Sequence, residues 1–121
     1  MKEYQIQIKL IEYLQSKKLP RFRFFHIPNQ GIRSIKYQTI LKKMGMRSGC
    51  PDLIFEFKSG YIVYIEIKTT RGSVSKSQKL WKSISDTLKT PHFILKGDFN
   101  YLKKEVDKVI AKYHNKKKGE I

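Results

Sequence analysis

Residues 52–68 constrain this chain more than any other segment. Two runs rich in β-branched and aromatic residues, 52–57 and 61–68, are separated only by Lys58-Ser59-Gly60. Such runs across a three-residue, glycine-containing turn pair as an antiparallel hairpin. A sheet therefore lies at the centre, and the remaining chain must cover it. In the second run Tyr61, Val63, Ile65 and Ile67 point one way, and Ile62, Tyr64, Glu66 and Lys68 the other. Both faces are apolar until the end of the strand, which predicts cover on both. Glu66 and Lys68 then stand side by side on one face. The start of one hairpin strand lies opposite the end of the other, so Asp52, directly after Pro51, lands beside them.

Two carboxylates and a lysine thus converge at one sheet edge. A carboxylate on a covered face needs a cation or a metal. Hard oxygen ligands of this kind suit Mg²⁺ or Mn²⁺, which can polarise a phosphate and activate a water. The neighbouring lysine suits stabilisation of developing charge better than proton abstraction, since an ordinary lysine titrates near 10.4. The same three residues also admit a plainer reading: a same-face ion pair on a solvated strand, and a turn residue after Pro51.

Charge points the same way. The 121 residues carry 26 Lys and Arg against 10 Asp and Glu, a net +16. The first 60 residues contribute 12 − 4 = +8 and the remainder 14 − 6 = +8, so the excess is no detachable tail. A body this basic attracts polyanions such as nucleic acid. At 40% apolar residues a real core can form, and the length suits one domain. We expect that domain over 1–114, with a basic tail over 115–121. No run approaches the roughly 18 apolar residues of a membrane helix. The single Cys50 excludes an intrachain disulfide and a Cys-rich zinc site, and suits a reducing compartment. With no apolar leader behind Met1-Lys2-Glu3-Tyr4, a cytoplasmic chain is expected.

Periodicity supplies the other elements. A helix is predicted over 4–17, with Ile6, Leu10, Tyr13 and Leu14 inward and Glu3 and Gln7 on the same face. Residues 22–27 read as a strand, and a helix over 34–44 places Tyr37, Ile40, Leu41 and Met44 on one side, with Gly45 ending it. A helix over 75–89 carries the stripe Leu80, Trp81, Ile84 and Leu88 behind a Ser75–Gln78 capping box. A strand follows over 92–95. The last helix runs from Asp98 to about His114, with Leu102, Val106, Val109, Ile110 and Tyr113 inward. The order α-β-α-β-β-α-β-α predicts a mixed four-stranded α/β sheet flanked by helices.

Five motifs, taken in order, resemble the VRR-NUC domain of the PD-(D/E)XK nuclease superfamily. They are Glu3-x-x-x-Gln7, then His26-Ile27-Pro28-Asn29, then the run from Gly45 to Asp52, then Tyr64-Ile65-Glu66-Ile67-Lys68, then Ser75-Lys76-Ser77-Gln78. The resemblance covers Glu3 to about Leu95 and implies a restriction-endonuclease-like core. It also implies Asp52, Glu66 and the backbone carbonyl of Ile67 as metal ligands, with Glu3 contacting the metal or its water. Lys68 would be the catalytic lysine, and Gln78 would face the scissile phosphate. The implied activity is Mg²⁺- or Mn²⁺-dependent hydrolysis of DNA phosphodiesters. Small standalone members, typical of phages, act as homodimers on branched DNA such as four-way (Holliday) junctions. A viral chain would work in the host cytoplasm.

Plainer roles stand beside these. Gln78 partners Ser75 in the cap, Gln7 packs or supports, His26 is a satisfied core histidine and Asn29 shapes its turn. Glu12 and Glu56 match no motif and read as surface charges, and nothing argues for Cys50 as a nucleophile. Arg47, Arg71 and Lys76 are expected to touch phosphates, with Asn29, Lys36, Lys42 and Lys43 extending the track. The expected activity is a metal-dependent endonuclease, with in-line attack of water on phosphorus and departure of the 3′ oxygen. The alternatives are a non-catalytic nucleic-acid-binding module that keeps the fold, and a structural polyanion binder.

Overall fold

The computed structural model describes residues 1–17, 22–27 and 34–116. Most of the expected basic tail, 117–121, lies outside the described residues. Eight elements follow in the predicted order: α1 (Glu3–Ser16), β1 (Phe22–His26), α2 (Ile35–Lys43), β2 (Leu53–Phe57), β3 (Ile62–Lys68), α3 (Lys76–Thr87), β4 (His92–Lys96) and α4 (Phe99–Tyr113). The sheet order is β1-β2-β3-β4. The first two pairings are antiparallel and β3–β4 is parallel. Connecting two parallel strands needs a crossover, and α3 supplies it.

One sheet face carries the core. Leu53, Phe55 and Phe57 of β2 and Val63, Ile65 and Ile67 of β3 pack with Ile6, Leu10 and Leu14 of α1 and with Leu102, Val106, Val109, Ile110 and Tyr113 of α4. Phe22 and Phe24 extend this layer, with ring centroids 5.5–6.0 Å from Phe55, Phe57 or each other. The inward rows of α1 and α4 are the predicted ones. The Tyr13 hydroxyl donates to Asp107 Oδ2 at 2.6 Å and ties the two helices together. Helix starts are capped as the sequence suggests: Ser34 and Asp98 side chains accept from Tyr37 N and Tyr101 N.

The opposite face departs from expectation. On α3 the buried row is Gln78 and Ser85, with Trp81 half-buried. The apolar row Leu80, Ile84 and Leu88 is 61%, 50% and 69% exposed. The helix is turned by about one residue because the Gln78–Glu66 hydrogen bond and a Ser85–His92 contact of 3.2 Å set its rotation. No residue of α2 is buried, so its predicted apolar side is not packed into the core formed by the described residues. Ile62 is 46% exposed, so β3 is covered on both faces only towards its end.

Candidate active site

Hairpin register builds the site. Leu53 faces Ile65, which sets Asp52 opposite Glu66. The Asp52 N–H donates to Glu66 Oε2 at 3.0 Å, and the Ile67 N–H donates to Asp52 Oδ2 at 2.9 Å. Two backbone donors thus lock two carboxylates against each other, beside the Ile67 peptide. Lys68 Nζ lies 3.8 Å from Glu66 Oε1. Asp52, Glu66 and Lys68 are 4%, 1% and 8% exposed, so the solvated ion-pair reading does not hold.

Gln78 joins from α3. Its Oε1 accepts from Ser75 N at 2.9 Å, completing the capping box, while its Nε2 donates to Glu66 Oε1. The two roles considered for Gln78 coexist, because cap and site use different ends of one amide. The loop that delivers Asp52 is pinned to the same helix start. Gly49 takes φ +83°, and a Cβ there would overlap the Ser77 carbonyl and lie 2.9 Å from Gln78 N. Only glycine meets both demands.

The electrostatics are those of crowded acids. Burial, with the neighbouring Asp52 charge, pushes Glu66 up to about 8, against the pull of Lys68 and a backbone donor. Asp52 is also raised, chiefly by burial, despite the Ile67 N–H and Lys68. Glu3 is raised by burial and by Asp52, and is lowered by Lys68. With all three ionised, the buried Asp52 and Glu66 and the half-buried Glu3 would outweigh Lys68 by two formal charges, a state that a divalent cation would favour. Asp52, Glu66 and the Ile67 peptide are the groups that could hold one, and Glu3 lines the same cleft as Asp52. Among the described residues no three His, Cys, Asp or Glu side chains cluster tightly enough to enclose an ion alone. Any such centre must therefore use backbone oxygen or solvent as well.

Glu3, Gln7, Glu12, His26 and Asp52 line an open cleft of about 520 Å³. Glu3 opens α1, which Ile6, Leu10 and Leu14 anchor in the core. His26 is not a core histidine: it is exposed at the end of β1. Its Nδ1 lies 2.8 Å from the Asp52 carbonyl oxygen and 3.1 Å from Gln7 Nε2. Gln7 is thus a supporting residue. Alternation along Phe22, Phe24 and His26 was the available signal, but it points a histidine towards the core side without saying that the core ends there.

The other expected residues are more dispersed. Arg47, Arg71, Lys76, Lys36, Lys42 and Lys43 are all exposed, and Asn29 lies outside the described residues. Glu56 is engaged by Arg23 at 2.8 Å. Burial and the two site carboxylates push the Cys50 thiol up, the opposite of what a nucleophile needs. No helix among the described residues is long and apolar enough to cross a membrane.

The VRR-NUC domain family model matches residues 1–90, which contain every motif of the site. This chain is a member of the VRR-NUC family. A solved structure described as a VRR_NUC domain protein shares the fold with a TM-score of 0.73 and 18% identity, covering 94% of this chain and 91% of that one. No curated protein sequence matches the chain. The VRR-NUC assignment and the mixed sheet are consistent with the PD-(D/E)XK superfamily, and membership implies a nuclease-type, DNA-binding fold.

Proposed function

We propose that this VRR-NUC protein is a divalent-metal-dependent endonuclease that hydrolyses DNA phosphodiesters, selectively at branches such as four-way junctions. One observation carries the reading. Asp52 and Glu66 are buried against each other with Lys68 as the nearby cation, and Asp52 also lines an open cleft, on a chain of net +16. Holding this pair together is unfavourable without a cation, and a bound divalent cation would offset that cost. An Mg²⁺ or Mn²⁺ held by Asp52, Glu66 and the Ile67 carbonyl, with Glu3 nearby, would supply Lewis-acid polarisation of the phosphate and a more acidic water.

The chain's own groups do the rest. Lys68 places a fixed positive charge where charge develops on the phosphoryl oxygens during in-line displacement of the 3′ oxygen. Gln78 holds one Glu66 oxygen and the Asp52 N–H the other, so that carboxylate cannot rotate. Arg47, Arg71 and Lys76 hold flanking phosphates, which positions DNA without reading bases. Symmetric cutting of a junction needs two such sites, and one domain offers one, so a homodimer is the working assembly.

The test is cleavage of end-labelled four-way junction, flap, duplex and single strands with Mg²⁺, Mn²⁺ or EDTA, alongside Asp52→Asn. Metal-dependent cuts near the branch, lost in Asp52→Asn, are expected. Tight binding by both proteins without cutting under either metal would instead establish a binding module.

A further inference from the structure

The exposed apolar row of α3 borders a second groove of about 540 Å³, which the site described above does not use. Its floor includes Tyr64 of β3 and the half-buried Trp81, and Leu80, Ile84 and Leu88 form its ridge. Its polar lining is Arg47, Ser48, Ser77, Ser85 and Thr90. We take the side with Arg47, Ser48 and Ser77 as its mouth, which adjoins the candidate active site through the chain itself. Ser77 precedes Gln78, whose amide touches Glu66, and Ser48 leads through Gly49 to Asp52. Gly49 packs directly on the Ser77–Gln78 peptide, so groove mouth and site share one junction.

We propose that this groove receives an unpaired nucleobase of the strand whose phosphate lies at Asp52 and Glu66. The inference rests on the DNA-cleaving reading and deepens it. Aromatic and aliphatic walls suit a base face, while a guanidinium and two hydroxyls at the mouth suit its phosphate and sugar. The rim charge selects the occupant. Arg47 lines the groove and is exposed, the exposed Lys76, Lys79 and Lys89 are chain neighbours of its lining residues Ser77, Leu80 and Leu88, and Asp86, the acidic residue of α3, is already engaged by Lys82 at 3.1 Å. A second copy seated on this groove would set basic groups against basic groups, whereas a polyanion complements them. A paired base must be unstacked before it can enter, so the groove favours strands already open at branches, flaps or ends.

Trp81 is the single tryptophan, so its fluorescence reports the groove directly. The full chain is titrated in EDTA, where no metal-dependent cutting occurs, with single-stranded, four-way-junction and blunt duplex DNA. Expected are quenching of Trp81 by the first two and not by duplex, and a loss of about tenfold in single-strand affinity in Ile84→Ser. Duplex affinity should stay within about twofold. Ile84 is half exposed, so the fold is not at stake, and Leu88→Ser gives an independent check. Binding and cutting without Trp81 quenching, or with affinities unchanged in both variants, would overturn the groove alone. Quenching without cutting under Mg²⁺ or Mn²⁺ would overturn the catalytic reading alone, and absence of any DNA binding would overturn both. A wild-type dimer that sediments as a monomer after Ile84→Ser would make the groove a contact between copies and end the nucleobase proposal.

Discussion

Replacing Glu66 by Gln should stabilise the metal-free protein while removing its activity. Glu66 titrates at about 8 in the fold against an ordinary 4.5, so the folded state binds its proton more tightly than the unfolded chain does. Its contribution is fully favourable below pH 4.5 and is lost as pH rises through 8. At about 1.4 kcal/mol per decade, stability falls by about 3 kcal/mol by pH 7, as the unfolded chain ionises while the fold holds the proton, and by about 5 kcal/mol above pH 8. The amide of Glu66→Gln does not titrate and keeps an acceptor for the Asp52 N–H, but it disturbs the hydrogen bond from Gln78, a loss of about 1 kcal/mol. The net gain at pH 7 in EDTA is therefore about 2 kcal/mol, or roughly 8 °C in Tm for a chain of this size. Thermal unfolding of both proteins from pH 4 to 9 reads this. The gain should shrink towards pH 4.5, and Mn²⁺ should raise the wild-type Tm more than that of the variant. A variant less stable than wild type at pH 8 in EDTA would refute the claim that these carboxylates are held against their preference.

Four further outcomes follow from the same structure. Lys68→Met should lower kcat by about 10²–10³ while DNA affinity, measured in EDTA, changes less than threefold. Gly49→Ala should cost about 2–4 kcal/mol in chemical denaturation, because a Cβ meets both the Ser77 carbonyl and a left-handed backbone. His92 is held at about 4 by burial and Lys82, against 6.5 unfolded, so the unfolded chain protonates first and stability falls as pH drops below 6.5. Relative to His92→Gln, the wild type should lose about 3 kcal/mol between pH 6.5 and 4, read by urea melts at each pH. Lys89 ends α3 at φ +60°, and Lys89→Gly should raise stability by about 0.5–1 kcal/mol in the same melts.

Much of the site was legible because hairpin geometry is local. A three-residue turn leaves little freedom in which residues of 52–57 and 61–68 oppose, so Asp52 had to meet Glu66. The capping box was legible for the same reason, since its partners are three residues apart. The rows of α1 and α4 could be read because each has one apolar face and the sheet needs cover. His26 could not be placed this way. Its parity follows Phe22 and Phe24, yet whether that side is core or cleft depends on where α1 starts, a contact between segments about twenty residues apart.

The apolar stripe of α3 shows the same boundary from the other direction. Periodicity determined that Leu80, Ile84 and Leu88 share a face, and composition determined that the whole body is basic. Neither determined which way that face turns. The rotation of α3 is decided by Gln78 reaching Glu66 and by Ser85 meeting His92, contacts between elements that no helical period encodes. Spacing along the chain specifies faces and local pairs, because these follow from backbone geometry alone. Only tertiary packing decides which face is buried, because that choice is made by the partners across the gap.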